Sequence, residues 1–292
     1  MTLRLAISAA IALCTACVPL AAQSTFGSTS PPGQCGAGKT PRWIIAYSAL
    51  RNIQNVDKDI ASYFFNNPCT YIDEDEQGVA FPKGWASVPT ADYRSYAAFQ
   101  ADITANAVRA NAKAILYDNE IWSDTPASEQ AAPAATEALF AKLAHANGYL
   151  FIATPATDLV RSQPGYNKAK PDQDQYLSMG FPGFSAGAPA DIYNIQAQAI
   201  VADTASYVSY VAEAAAQGRK ANPNVVVLAG ISPAPTGHTV TEDQLYQAIV
   251  QTQSIVSGYW LNVSATSPQP QTVVQVLRRL QSRSLRQRRP RP

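Results

Sequence analysis

Short apolar runs alternate along this chain with longer stretches rich in Ala, Leu, Glu and Gln. Residues 43–48, 113–118, 149–154, 191–198, 225–232 and 258–263 are rich in β-branched and aromatic side chains, and they read as strands. Residues 69–72 and 79–81 can supply two more. The intervening pattern predicts helices at roughly 55–66, 95–111, 134–147, 200–219, 241–256 and 270–280. Thr241-Glu242-Asp243-Gln244 opens one of them with a capping residue and acids in the first turn. Repeated strand and helix units imply a parallel sheet, either a closed (β/α)8 barrel or an open doubly wound sheet. A dinucleotide-binding open sheet carries a glycine fingerprint after its first strand. Residues 43–48 are followed instead by Ala49-Leu50-Arg51-Asn52, so the α/β fold class expected is a single (β/α)8 barrel, irregular in its first third.

The polar positions at strand ends carry the chemistry. The run Lys113-Ala114-Ile115-Leu116-Tyr117-Asp118-Asn119-Glu120 ends in two acids spaced two apart. Side chains alternate along a strand, so Asp118 and Glu120 point the same way with Leu116 behind them. They fall at the carboxyl end of a buried parallel strand, where barrel enzymes hold their reactive groups. Two neighbouring carboxylates repel, which raises one pKa and sets an acid beside a base or orienting group. Asn194, Gln196 and Gln198 share one strand face, Trp260 and Asn262 share another, and Tyr47 ends the first strand. Buried amides need partners, and a ligand can supply them. Carboxyl groups with amides and aromatic faces are how glycan-cleaving sites are built. Side-by-side acids on one strand fit substrate assistance better than two opposed carboxylates, because both lie on one side of a cleft.

At these residues the chain resembles the chitinase-like family of barrel glycoside hydrolases. That family ends its fourth strand with D-x-x-D-x-D-x-E, and Asp118-Asn119-Glu120 matches the final D-x-E, with Lys113 and Leu116 at the two earlier Asp positions. The resemblance implies Glu120 as proton donor and Asp118 as its partner. The sixth strand is similar to the plant-type D-x-x-x-V-Q-x-Y over residues 191–198, with Ile195-Gln196 in place and Gln198 where Tyr stands in the family. A final-strand Trp also belongs to the family, and Trp260 is placed to be it. The expected function is hydrolysis of glycosidic bonds in a polysaccharide or oligosaccharide. A non-catalytic carbohydrate-binding barrel and a secreted interaction protein are the alternatives.

The chain's ends refine this picture. Residues 1–22 read as a secretory signal peptide, with cleavage expected after Ala22, and residues 23–41 as a flexible leader. A lipoprotein anchored through Cys17 is the less favoured reading. Secretion makes a Cys35–Cys69 disulfide the default. The barrel domain is expected over 42–276, as a monomer. Residues 277–292 hold seven arginines and no acids, and read as a disordered tail. Without that tail and Arg4, about 14 basic residues face 21 acidic ones, so the body, near −7, is no nucleic-acid binder. No membrane span, metal or cofactor is expected, since the only histidines are His145 and His238 and no C-x-x-C pair exists. Residues 33–40 fit the phosphate-loop pattern G-x-x-x-x-G-K-T, but Pro41 and a strand follow where a helix is required. The acidic run Asp73-Glu74-Asp75-Glu76 lacks calcium-loop spacing and reads as a solvated turn. No G-x-S-x-G elbow accompanies His238 and Ser232, so a serine triad is not expected.

Overall fold

The computed structural model describes residues 35–36, 40–74, 81–235 and 238–287. Within them the strands are β1 (Arg42–Ala46), β2 (Thr70–Glu74), β3 (Val88–Tyr93), β4 (Ala114–Tyr117), β5 (Leu150–Ala153), β6 (Ile192–Ile195), β7 (Val226–Ile231) and β8 (Gly258–Leu261). They form a closed barrel in chain order, every neighbour parallel, with β8 returning to β1. The helices are α1 (Tyr47–Val56), α2 (Lys58–Phe65), α3 (Tyr96–Ala105), α4 (Ala127–Ala131), α5 (Pro133–Ala146), α6 (Asp172–Ser178), α7 (Phe181–Gly187), α8 (Thr204–Ala221), α9 (Glu242–Thr252) and α10 (Gln269–Gln287).

Strand alternation divides the core into two layers. Ile44, Tyr71, Val88, Ala114, Leu116, Ile152, Ile192 and Leu228 fill the barrel, with Trp260 packed on them. The opposite faces meet the helices: Phe140 of α5 stacks on Tyr117 at 4.6 Å and on Phe99 of α3 at 4.5 Å. Closure requires Gly258, because a Cβ there would stand 1.9 Å from the Arg42 carbonyl oxygen.

Helix boundaries follow local polar chemistry. The Asp57 carboxylate accepts from the amides of Asp59 and Ile60, ending α1 and starting α2 where one helix over 55–66 was expected. Asn106, at φ 53°, ends α3 well short of residue 111. The Thr241–Gln244 capping box opens α9.

Several expectations need correction. The third strand is Val88–Tyr93; Phe81 is in no strand, and residues 79 and 80 lie outside the described set. Pro89 disguised it, since proline argues against a central strand. Its carbonyl still accepts from Lys113 N at 2.9 Å. Asp73 and Glu74 are not in a solvated turn but are buried in β2, while 75–76 are outside the described residues. α10 runs through Gln287, so residues 277–287 are helical and no disordered tail begins at 277. Arg278 pairs with Asp57, and Arg279 pairs with Glu242 and Asp243 while lying over Tyr246, which anchors the arginines to the helical layer. The signal peptide, Cys17, the leader through residue 34 and residues 288–292 lie outside the described set. No described helix is long and apolar enough to cross a membrane.

Cys35 and Cys69 are joined by a disulfide across 34 residues of sequence. Closing a loop of that length restricts the unfolded chain by about 3 to 4 kcal/mol. A Cys35→Ser, Cys69→Ser double variant is expected to lose about that much in urea unfolding, with the m-value as a check on two-state behaviour.

Candidate active site

The site is built on the backbone just beyond β4. Asp118 N donates to Tyr93 O, Thr154 N to Tyr117 O and Ala156 N to Asn119 O, so residues 117–119 are held between the extensions of β3 and β5. Leu116 faces the barrel interior, and Asp118 takes the next inward position at its carboxyl end. Asp118 is 7% exposed, while Glu120 is half-buried above it.

Gln196, one residue past β6, joins the two acids. Its side-chain nitrogen donates to Asp118 Oδ1 at 2.9 Å, to Glu120 Oε1 at 3.3 Å and to the Thr154 carbonyl at 2.8 Å. The Thr154 hydroxyl donates to Asp118 Oδ1 at 3.2 Å. Gln198 in turn donates from Nε2 to Gln196 Oε1 at 3.0 Å, which fixes the orientation of the Gln196 amide. Gly230 leaves room for that arrangement, since a Cβ there would stand 2.4 Å from Gln198 Oε1.

Burial raises both carboxyl pKa values. Asp118 is raised well above the usual range by burial, then by the charges of Asp92 and Glu120; the Thr154 bond and Arg94 oppose this. Glu120 is raised by burial and then by Asp158, with the Gln196 bond and Arg94 in opposition. Asp73 of β2 shares the inward face of Tyr71, and burial, with a lesser contribution from Asp118, pushes it up to about 7. Burial thus holds all three carboxyl groups above the ordinary carboxylate range.

A second carboxylate cluster supports β4 from outside. Glu129 of α4 is buried and accepts from Ser95 Oγ, the Tyr96 and Ala97 amides and the Tyr117 hydroxyl, at 2.8 to 3.1 Å. It thus closes the amino end of α3 while tethering Tyr117, the residue before Asp118. Behind Asn119, burial pushes Glu137 up to about 8, against its contacts with Ser185 and Asn119.

The sequence-predicted residues separate into two groups. Asp118, Glu120, Gln196 and Gln198 are joined by hydrogen bonds, although Gln198 sits in a 3₁₀ turn rather than on β6. Trp260 is on the inner face of β8, half-buried. Asn194 lies in the barrel interior, 0% exposed, with neither amide atom hydrogen-bonded to a described residue. Tyr47 is not on the strand end: β1 stops at Ala46, and Tyr47 begins α1 against the outer core. Asn262 is exposed just past β8. His145 bonds to Asp191, before the start of β6 and so at the opposite end from the acids; His238 is exposed.

Sequence reasoning missed Asp73, Asp92, Arg94, Thr154 and Asp158. Thr154 ended an expected strand and was a readable signal. Asp92 was hidden with the rest of β3, and Asp73 by its membership of an acidic run. Among the described residues, no three His, Cys, Asp or Glu side chains form a group able to hold a metal ion.

No family model and no curated protein sequence matches this chain. Three solved structures similar in fold span most of it. A GH128 curdlan-specific exo-β-1,3-glucanase from Blastomyces gilchristii is 15% identical, with TM-score 0.49, over 81% of this chain and 97% of its own. An archaeal fructose-1,6-bisphosphate aldolase is 11% identical, with TM-score 0.48, over 82% and 94%. A triosephosphate isomerase from Bartonella henselae is 12% identical, with TM-score 0.44, over 82% and 99%.

Proposed function

We propose that this protein is a secreted glycoside hydrolase that cleaves glycosidic bonds in a polysaccharide, with Glu120 as general acid and Asp118 as its partner. The observation that carries this reading is the single Gln196 amide nitrogen shared by both carboxyl groups at the barrel mouth. Glu120 is the more accessible of the two, and burial raises its pKa, the direction that suits a general acid. That proton passes to the glycosidic oxygen as the bond from C1 to that oxygen breaks. Water forms the new bond to C1, and its proton returns to the carboxylate pair, which restores the starting state. Asp118, the more deeply buried, holds the pair's charge and orients Glu120 through Gln196. Gln198 fixes that amide, and Trp260 offers an aromatic face to a sugar ring.

The pH profile tests the assignment. A general acid must be protonated, so kcat/KM is expected to fall on the alkaline side, at an apparent pKa above the ordinary Glu range. Because Asp158 raises the Glu120 pKa, Asp158→Asn is expected to move that alkaline limb to lower pH. An unmoved limb, or a profile flat across the carboxylate range, contradicts Glu120 as the acid.

A further inference from the structure

The barrel mouth holds more acid than proton transfer requires. Asp73, Asp92, Asp118, Glu120 and Asp158 come from β2, β3 and the segments after β4 and β5. Their charges act on one another: Asp118 on Asp73, Asp92 and Glu120 on Asp118, and Asp158 on Glu120. Two guanidinium groups act on this set, and each is already engaged at the side. Arg94 pairs with Asp124 at 2.5 Å and Arg161 pairs with Asp172 at 2.7 Å. Among the described residues, the guanidinium groups that act on Asp118, Glu120 and Asp158 are thus each shared with an acid at the side, and none acts on Asp73.

A separate observation shows where a ligand group belongs. Asp73 is only 5% exposed, and its Oδ1 has no hydrogen-bond partner among the described residues. Its side chain shares the inward face of Tyr71 and so points into the barrel at the carboxyl end. A buried carboxyl oxygen without a donor carries a desolvation cost that an incoming donor removes, most fully a cationic one. Anionic sugars face repulsion here, and a neutral hydroxyl satisfies the oxygen without balancing the charge.

Resting on the glycan-cleaving reading above, we infer that the substrate is a cationic amino-sugar glycan, with the ammonium of an N-deacetylated hexosamine residue paired to Asp73. The acidic mouth draws such a polymer in and rejects uronic polymers by charge.

Binding to the full chain tests this independently of turnover. Calorimetry compares hexasaccharides of glucosamine and of galactosamine with their fully N-acetylated forms, cellohexaose and an oligogalacturonate. At least one amino hexasaccharide is expected to bind about tenfold or more tighter than its N-acetylated form and cellohexaose, with no detectable binding of the oligogalacturonate. Added salt is expected to reduce the amine preference. Asp73→Asn, with its fold verified by circular dichroism, is expected to narrow the amine-to-neutral ratio. Equal or tighter binding of the acetylated, neutral or uronic oligomers overturns the inference, as does no binding of either amino hexasaccharide. If a neutral glycan is nevertheless cleaved by a Glu120-dependent reaction, the hydrolase reading stands and only the substrate class is wrong. Absence of cleavage of any glycan removes the underlying reading itself.

Discussion

Glu120→Gln is expected to lower kcat/KM on an unactivated glycan by about 10³-fold, the loss of a positioned general acid. Gln keeps nearly the same shape but has no acidic proton to give the leaving oxygen. An aryl glycoside with a good leaving group needs little protonation, so its turnover is expected to fall much less in the same variant. That contrast separates loss of the acid from loss of the fold, which would reduce both substrates together. Asp118 lies deeper and feels the charge of Glu120, so the titration of one carboxyl group bears on that of the other. Rate profiles therefore report pKa values of the pair.

The largest expected stability effect is at a residue outside the mouth. Glu129→Ala removes the acceptor for two α3 amides, the Ser95 hydroxyl and the buried Tyr117 hydroxyl. Leaving such donors unsatisfied is expected to cost about 3 to 5 kcal/mol. For a domain of this size the melting temperature falls on the order of 10 °C. Thermal unfolding followed by circular dichroism measures it; a change below about 1 kcal/mol would contradict the role assigned to this carboxylate. Because Tyr117 directly precedes Asp118, local loosening is also expected to reduce activity at temperatures where the variant remains folded.

Much of the fold was legible because barrel strands are buried on both faces and so form apolar runs. Residues 43–48, 113–118 and 225–232 announce themselves in this way. β3 did not, because Val88–Tyr93 contains Pro89 and Asp92, both depleted in strands. Proline is tolerated there with its carbonyl still in the ladder. The signal for Asp73 failed for a different reason. In sequence an acidic run looks solvated, and only the ladder of β2 with β1 and β3 shows that its first two members are buried. At the site, period-two alternation correctly grouped Asp118 with Glu120. The same rule failed at Tyr47 and Gln198, where the chain leaves strand geometry one and three residues before the polar position, respectively. The link from Glu129 to Tyr117 and α3 joins residues 12 to 34 positions apart, a tertiary contact with no local sequence signature.

The most direct test of the account is reducing-end release by the purified wild-type protein and Glu120→Gln, side by side, on a panel of α- and β-linked glucans, chitin, chitosan and galactosamine polymers. Release from at least one polymer by the wild type, with near-complete loss in Glu120→Gln, is the expected result. No release from any polymer, or undiminished release by Glu120→Gln, would contradict it.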